Sequence, residues 1–318
     1  MEVIRYHDHG GPDVLELETV PRPEPGPDEL LVRVEAAAIN PVDTYFRDGS
    51  YEPGDLPWIP GSDVAGVVEE AGERTRYEPG DRVFATALGR DRQGTCAEYA
   101  IVPDELAATV PEGADPVDAA ALALVGVTAW QSLVAACDLE PGERALIHGG
   151  SGGVGHVAVQ LAAACGADVT TTASPRYHDR LRELGAETVF DYGRDDLEAA
   201  VADAGAPDVI LDHRLDDYLG FDVRVGAFGC RVAAIGNESP AATFPSVPAA
   251  RATALSVHHV SMFNTPDVAA VLERLARLLE RGDVEPVVAD QYALGDVADA
   301  HRDVMNESFL GKLVVVPE

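Results

Sequence analysis

The chain has 318 residues, 46% of them hydrophobic, which is long enough for two domains because a single core usually stops growing at roughly 250 to 300 residues. Its formal net charge of −32 and pI near 4.4 are extreme, yet the acids are spread among alternating apolar segments, so a packed fold is expected instead of a disordered tail. That charge excludes nucleic acid or an anionic membrane as the main partner, since either requires a basic patch.

In chain order, the opening Met1-Glu2-Val3-Ile4-Arg5-Tyr6 has no charged region leading into an apolar stretch. No uncharged apolar run is expected to reach about 18 residues, so the expectation is a soluble, cytoplasmic protein. Short apolar runs follow at Glu29–Ala36, Val64–Glu69 and Arg82–Thr86, separated by Pro25-Gly26-Pro27, Pro53-Gly54 and Pro79-Gly80-Asp81. This texture predicts a β-rich, barrel-like lobe. From Pro116 it changes to an Ala-rich helix with Asp115 placed to cap it. A strand at Arg144–His148, a glycine loop, a helix at Val154–Ala164 and a strand at Val169–Thr172 then form a βαβ unit, which implies a parallel sheet.

The alternation continues with helix Tyr177–Leu184, strand Thr188–Phe190, helix Asp196–Asp203, and strands Asp208–Leu211 and Arg231–Ile235, the order of a doubly wound sheet. Leu255–Phe263, which contains His258-His259, reads as its edge strand. A helix at Asp267–Arg281 and a strand at Lys312–Val316 return to the first lobe. The expected organisation is a β-rich domain over 1–118, completed by 260–318, around a dinucleotide-binding domain over 119–259. Cys96, Cys137, Cys165 and Cys230 lie far apart with no CxxC pair, as buried free thiols would, and suggest neither disulfides nor a thiolate metal cage.

The strongest chemical signal is Gly149-Gly150-Ser151-Gly152-Gly153-Val154-Gly155, between an apolar strand and an Ala/Val helix. Glycines permit the tight turn and a close backbone approach to a pyrophosphate, and the helix N-terminus faces the anion. An NAD enzyme places an acid on the ribose roughly 20 residues later. Here the position reads Thr171-Thr172-Ala173-Ser174-Pro175-Arg176, with no acid, and Ser174 with Arg176, joined by Arg180 one turn on, suits the 2′-phosphate of NADPH.

Lys312 is the only lysine, so arginine carries nearly all the positive charge. That bias, with abundant carboxylates, resembles proteins of haloarchaea. Carboxylate repulsion is screened at high salt, where the Debye length falls to about 3 Å at 1 M, so low salt is expected to destabilise the fold.

A second resemblance covers almost the whole chain. Its marks are Ala38-Ile39-Asn40-Pro41-Val42-Asp43-Thr44-Tyr45-Phe46-Arg47, Pro60-Gly61-Ser62-Asp63-Val64-Ala65-Gly66, Pro79-Gly80-Asp81-Arg82-Val83, Gly94-Thr95-Cys96-Ala97-Glu98-Tyr99, Gly126-Val127-Thr128-Ala129 and the glycine loop. In order and spacing these are similar to the zinc-free quinone oxidoreductase branch of the medium-chain dehydrogenase/reductase superfamily, which includes zeta-crystallin. The resemblance implies an α/β fold: a GroES-like β-rich catalytic domain plus a Rossmann doubly wound parallel-sheet domain.

Where zinc alcohol dehydrogenases of the superfamily carry cysteine and histidine ligands, this chain offers Asn40 and Ser62, and Cys96 stands alone where a structural zinc lobe would lie. No metal site is expected. Without a Lewis acid the implied reaction is reduction, with NADPH, of an already electrophilic acceptor such as a quinone or enone.

By the same resemblance Asn40, Tyr45, Arg47 and Tyr51 lie near the nicotinamide, Asn40 and Tyr51 as donors to the acceptor oxygen and Arg47 as a stabiliser of developing charge. Thr128 forms another wall, Tyr192 and Lys312 reach cofactor phosphates, and Gly236-Asn237 forms the nicotinamide-side loop. A homodimer joined through the edge strand is implied too, and metal binding by His258-His259 is not expected. Asp212-His213-Arg214-Leu215-Asp216-Asp217 departs from the small glycine turn usual there; His213 is either a proton donor to the reduced acceptor or a solvated loop residue. Two other functions fit the same features: an NADPH-dependent 2-alkenal or enoyl reductase, and a non-catalytic, crystallin-like NADPH-binding protein.

Overall fold

The computed structural model describes residues 1–317. It divides into two units, Met1–Val127 with Pro266–Glu318, and Thr128–Thr265.

In the first unit, β1 (Glu2–Arg5) and β2 (Glu16–Thr19) pair antiparallel. The main sheet is built from β3 (Glu29–Ile39), β4 (Val64–Ala71), β5 (Arg82–Ala85), β6 (Tyr99–Pro103) and β7 (Ala107–Thr109). The long β3 is its spine: it pairs antiparallel with β4 along most of its length, with β6 over Glu29–Arg33, and with the C-terminal strand over Ala37–Ile39. Val32 and Val34 are buried between the outward Arg33 and half-buried Glu35, the alternation of a strand with one solvated face. Ile4, Leu30, Val64, Val83, Leu88, Leu313 and Val315 are among the side chains that fill the interior.

Helix α1 (Pro41–Asp48) leaves the end of β3 with Pro41 in its first turn, and Asp43 Oδ2 reaches back to the Asn40 N–H at 2.8 Å. Helix α2 (Pro116–Trp130) belongs to this unit through Val127. Gly126 lies so close to Leu275 that a Cβ there would fall 2.7 Å from its Cδ1, so the division comes after residue 127 and not at 118.

The helix continues as a π-helical stretch, Gln131–Ala136. Together, Pro116–Ala136 is 21 residues with mean hydropathy 1.7, long and apolar enough to cross a bilayer. This corrects the expectation that no run reaches that length: Gln131 and Ser132 interrupt the apolar stretch without adding charge. Of its most apolar stretch 72% is buried in the protein, as in a core helix.

The second unit carries α3 (Gly153–Ala164), α4 (His178–Glu183), α5 (Leu197–Ala204), α6 (Leu215–Val225) and α7 (Val247–Thr253) around β8 (Arg144–Ile147), β9 (Asp168–Thr172), β10 (Thr188–Phe190), β11 (Val209–Asp212), β12 (Arg231–Ala234) and β13 (Ser256–His259). The sheet is parallel throughout, in the order β10-β9-β8-β11-β12-β13. Numbered within the unit this is 3-2-1-4-5-6, the doubly wound dinucleotide-binding order, whose direction reverses between β8 and β11. Ala145-Leu146-Ile147 and Val209-Ile210-Leu211 are buried without alternation, as strands covered on both faces must be.

The chain then returns to the first unit as α8 (Val268–Glu280), capped by the Asp267 side chain on Ala270 N, β14 (Val288–Tyr292), α9 (Val297–Asn306) and β15 (Lys312–Val315). β15 lies between β14 and β3.

Candidate active site

The glycine loop sits at the C-terminal end of β8. Gly149 has φ +67°, in the left-handed region, and Thr172 on the neighbouring strand end holds it: Thr172 Oγ1 accepts the Gly149 N–H at 3.1 Å and Thr172 O accepts the Gly150 N–H at 2.9 Å. A Cβ at Gly150 would lie 2.1 Å from Thr171 Oγ1, and one at Gly155 would lie 2.1 Å from Gly149 O. The protein's own packing therefore demands these two glycines.

Gly152 differs. A Cβ there would meet only Gly149 O, at 3.3 Å, so what its missing side chain leaves room for lies outside the chain. With Gly153 and Val154 opening α3 and Ser151 half-buried before them, the loop presents a helix N-terminus beside an open backbone, the arrangement that receives a pyrophosphate.

Past β9, Ser174 Oγ and Tyr192 Oη stand 3.0 Å apart, and the Arg176 guanidinium lies 4.8 Å from the Tyr177 ring centre. Arg180 pairs instead with Glu183 at 2.9 Å. Gly236 is packed so tightly that a Cβ would come within 2.4 Å of His213 O, and Asn237 Nδ2 donates to Ser239 O at 3.1 Å. Thr128 is buried, and its carbonyl accepts the Ser132 hydroxyl at 2.8 Å. His213 is not the solvated loop residue of one sequence reading: its ring lies against Gly149, and burial pushes it down to about 4, so it is neutral.

In the first unit, the Tyr45 and Tyr51 rings meet edge to face at 5.7 Å, and Tyr51 is 54% exposed. Two other expected residues are committed elsewhere. Asn40 is buried, with Oδ1 bonded to Lys312 Nζ and Nδ2 donating to Asp63 Oδ2 at 2.8 Å and Ala38 O at 3.3 Å. With both amide hydrogens used, it frames α1 and is not a donor to the acceptor.

Arg47 is buried as well, donating to Gly10 O at 3.0 Å and to His301 Nδ1 at 3.1 Å; burial beside this cation pushes His301 down to about 3. Its Nη1 joins α1 to α9 through His301. Lys312, expected to reach a cofactor phosphate, points inward instead. It is 3% exposed, bonds Ile39 O at 2.7 Å besides Asn40, and stands 3.8 Å from Asp63 Oδ2.

Sequence reasoning missed the acids of this network. Asp43 accepts from Ser62 Oγ at 2.6 Å and Asp63 from Leu124 N at 2.9 Å, both fully buried. Burial pushes the Asp43 carboxyl up to about 7 and raises Asp63, while Lys312 opposes the rise in each; burial likewise lowers Lys312 against the pull of both acids. The available signal was the lone lysine in an arginine-biased chain. Asn40 and Ser62 do not form a zinc-type donor set, and among the described residues no cluster of three His, Cys, Asp or Glu side chains is placed to hold a metal ion.

Two family models match: the alcohol dehydrogenase GroES-like domain over residues 26–112 and a zinc-binding dehydrogenase model over 184–315. A quinone oxidoreductase from Lama guanicoe is 35% identical over 99% of this chain and 97% of its own. This chain belongs to the quinone oxidoreductase family of the medium-chain dehydrogenase/reductase superfamily.

Solved structures of the superfamily agree. Escherichia coli quinone oxidoreductase complexed with NADPH superposes with a TM-score of 0.90 at 27% identity over the whole of both chains. An NAD-dependent alcohol dehydrogenase reaches 0.92 at 30% identity over 99% of both.

Two substitutions separate packing from binding in the loop. Gly155→Ala is expected to destabilise the protein by about 1–3 kcal/mol, since backbone must move. Gly152→Ala is expected to leave the melting temperature nearly unchanged and to weaken dinucleotide binding about tenfold, one step of 1.4 kcal/mol. Calorimetry and fluorescence titration read the two effects.

For Asp43 the sign follows from its raised folded value. Between the ordinary 3.8 and about 7 the native state keeps a proton that the unfolded state releases, so stability falls as pH rises through that window. The slope for one such group is about 1.4 kcal/mol per pH unit. Asp43→Asn can accept from Asn40 N and donate to Ser62 Oγ, and is expected to remove that part of the slope. Melting curves across the window check it.

Proposed function

We propose that this protein is an NADPH-dependent reductase that passes a hydride to a quinone-like electrophilic acceptor without zinc. The observation that carries the reading is the open Gly152 cradle at the end of β8, followed past β9 by Ser174, Tyr192 and Arg176 with no acid at the ribose position. NADPH bound there would supply the hydride. The chain's own work is to bind and orient: the N–H groups of the loop and of α3 take the pyrophosphate, and Ser174, Arg176 and Tyr192 take the 2′-phosphate.

On the first unit, the Tyr45–Tyr51 pair offers an aromatic edge for a planar acceptor and an exposed phenol as donor to its oxygen. A quinone already carries the electrophilic carbonyl, so positioning and one donor suffice. The quinone oxidoreductase relatives and the NADPH-complexed structure support this reading.

We further infer a cytoplasmic homodimer adapted to high salt. β13 has β12 as its neighbour and a free outer edge suited to pairing with a second copy. Light scattering in molar KCl is expected to give twice the chain mass, and the melting temperature to fall as salt drops below about 0.1 M; a monomer, or a melt indifferent to salt, would contradict these points.

The decisive assay is oxidation of NADPH and NADH in molar KCl with a quinone and a 2-alkenal offered separately. Faster NADPH turnover with the quinone, unchanged by a chelator, is expected. Turnover with the alkenal alone would make the protein an enal reductase, and cofactor binding without turnover would make it a non-catalytic binder. Arg176→Ala is expected to raise KM for NADPH about 10- to 100-fold, the loss of a charged hydrogen bond of about 1.5–3 kcal/mol, with little change for NADH.

A further inference from the structure

Beneath the glycine loop, at the point where the strand order reverses, lies a buried polar cluster. His148, the residue between β8 and Gly149, sends Nε2 to Asp222 Oδ1 at 2.9 Å; the two side chains are 1% and 0% exposed. Its ring is stacked on Tyr218 at 4.4 Å and 5° and meets the edge of Phe221 at 5.4 Å. Asp212, the last residue of β11, accepts the Arg214 N–H on Oδ1 at 2.7 Å and is itself fully buried.

The second oxygens are the unusual part. Asp212 Oδ2 and Asp222 Oδ2 are both buried with no hydrogen-bond partner. The His148 N–H donates to Leu211 O at 3.1 Å while its ring holds Asp222 at 2.9 Å, which brings the two acids together with one oxygen of each left unbonded. Two carboxylates cannot do this; an acid and a carboxylate can, with the proton of one on the orphaned oxygen of the other.

Among the described residues neither acid is ion-paired to a lysine or arginine, and the titratable side chains packed on the pair are neutral. They are His148 from β8, His213 from the turn after β11, Tyr218 from α6 and Cys230 before β12. Both imidazoles are pushed down to about 4 by burial, the Cys230 thiol is pushed up to about 12 and the Tyr218 phenol is raised, so all four are neutral. Arg214 donates its main-chain N–H to Asp212 and turns its Nη2 to Asp217 and Glu238, while its Nε is buried without a partner and its charge bears on His213 and Tyr218.

We propose that Asp212 and Asp222 share one proton, and that this acid–carboxylate bridge, continued through His148, positions the two turns at the switch point that receive the cofactor. Asp212 Oδ2–H donates to Asp222 Oδ2, and His148 Nε2–H donates to Asp222 Oδ1; every polar atom of the two acids is then satisfied. The bridge ties Gly149 at the end of β8 to His213 at the end of β11. His213 packs under Gly149 and its carbonyl abuts Gly236, so a shift of either turn moves the floor of the loop. These are positioning residues, and their effect on cofactor binding rests on the NADPH reading above.

Burial pushes both acids up to about 7, so the shared proton is lost on the alkaline side, where two adjacent buried charges repel. The test compares wild type with D212N, whose amide can donate to Asp222 Oδ2 and accept from Arg214 N without a titrating proton. In molar KCl, between about pH 6 and pH 9, the wild-type Kd for NADPH is expected to rise about tenfold or more, and the melting temperature of the cofactor-free protein to fall. D212N is expected to lose most of both changes.

Infrared spectra of the cofactor-free protein near pH 6 should show a buried protonated carboxyl that disappears in D212N. Equal pH dependence in the two proteins, or no such carboxyl, overturns the proposal. Should D212N not fold, D222N carries the same comparison, since its amide can donate to Asp212 and accept from His148. Failure of NADPH to bind at any pH would count against the cofactor reading, while the melting and infrared results would still decide the bridge.

Discussion

The buried ammonium of Lys312 is the contact on which the first unit's site depends. It lies on the last strand of the chain, bonds the carbonyl and side chain of Ile39 and Asn40 where β3 ends, and stands beside Asp63. An isolated carboxylate in that interior would cost several kcal/mol. Lys312 opposes the rise that burial imposes on both acids; Asp63 holds Asn40 Nδ2 and Leu124 N, and Asp43 accepts from Ser62 and Asn40 N. α1 therefore starts at a defined point, and Tyr45, with Tyr51 just past its end, follows from it.

The fold was legible in the sequence wherever periodicity and glycine carried it. The runs at 29–36, 64–69, 144–148 and 188–190 became strands close to their expected limits, and the glycine loop fell between a strand and a helix as its chemistry requires. α1, α6, α7 and α9 were not anticipated. α6 reads Leu215-Asp216-Asp217-Tyr218-Leu219-Gly220-Phe221-Asp222-Val223, and its three acids and a glycine hide the stripe of Leu215, Leu219 and Val223. Asp222 sits on that same buried side, which was the available sign that it had a polar partner in the core.

The site was half legible for a related reason. The glycine motif does fall at the end of a strand and the start of a helix, but the roles of Asn40, Arg47 and Lys312 were carried over by resemblance, which says nothing of their partners. Whether an amide or guanidinium is free depends on partners far along the chain: His301 is 254 residues from Arg47, and Lys312 is 272 from Asn40. Such long-range pairings leave no local pattern, so sequence spacing could not separate a catalytic donor from a structural one.

Both units meet the same difficulty in different ways. A chain with net charge −32 exposes most of its acids, yet each unit buries a pair of aspartates beside residues expected to serve the reaction. In the first unit a lysine lies against the pair. In the second neither acid is ion-paired to a lysine or arginine among the described residues, and a shared proton is the proposed means of keeping two carboxyls together in a low-dielectric interior. The two solutions respond differently to conditions. In the first unit the attraction between Lys312 and the two acids is set against the burial of all three, whereas a proton held between acids pushed up to about 7 is exchanged with solvent near that pH. The cofactor-side turns are thus a part of the molecule whose geometry should answer to a rise in pH, as is the start of α1, where Asp43 is also pushed up to about 7.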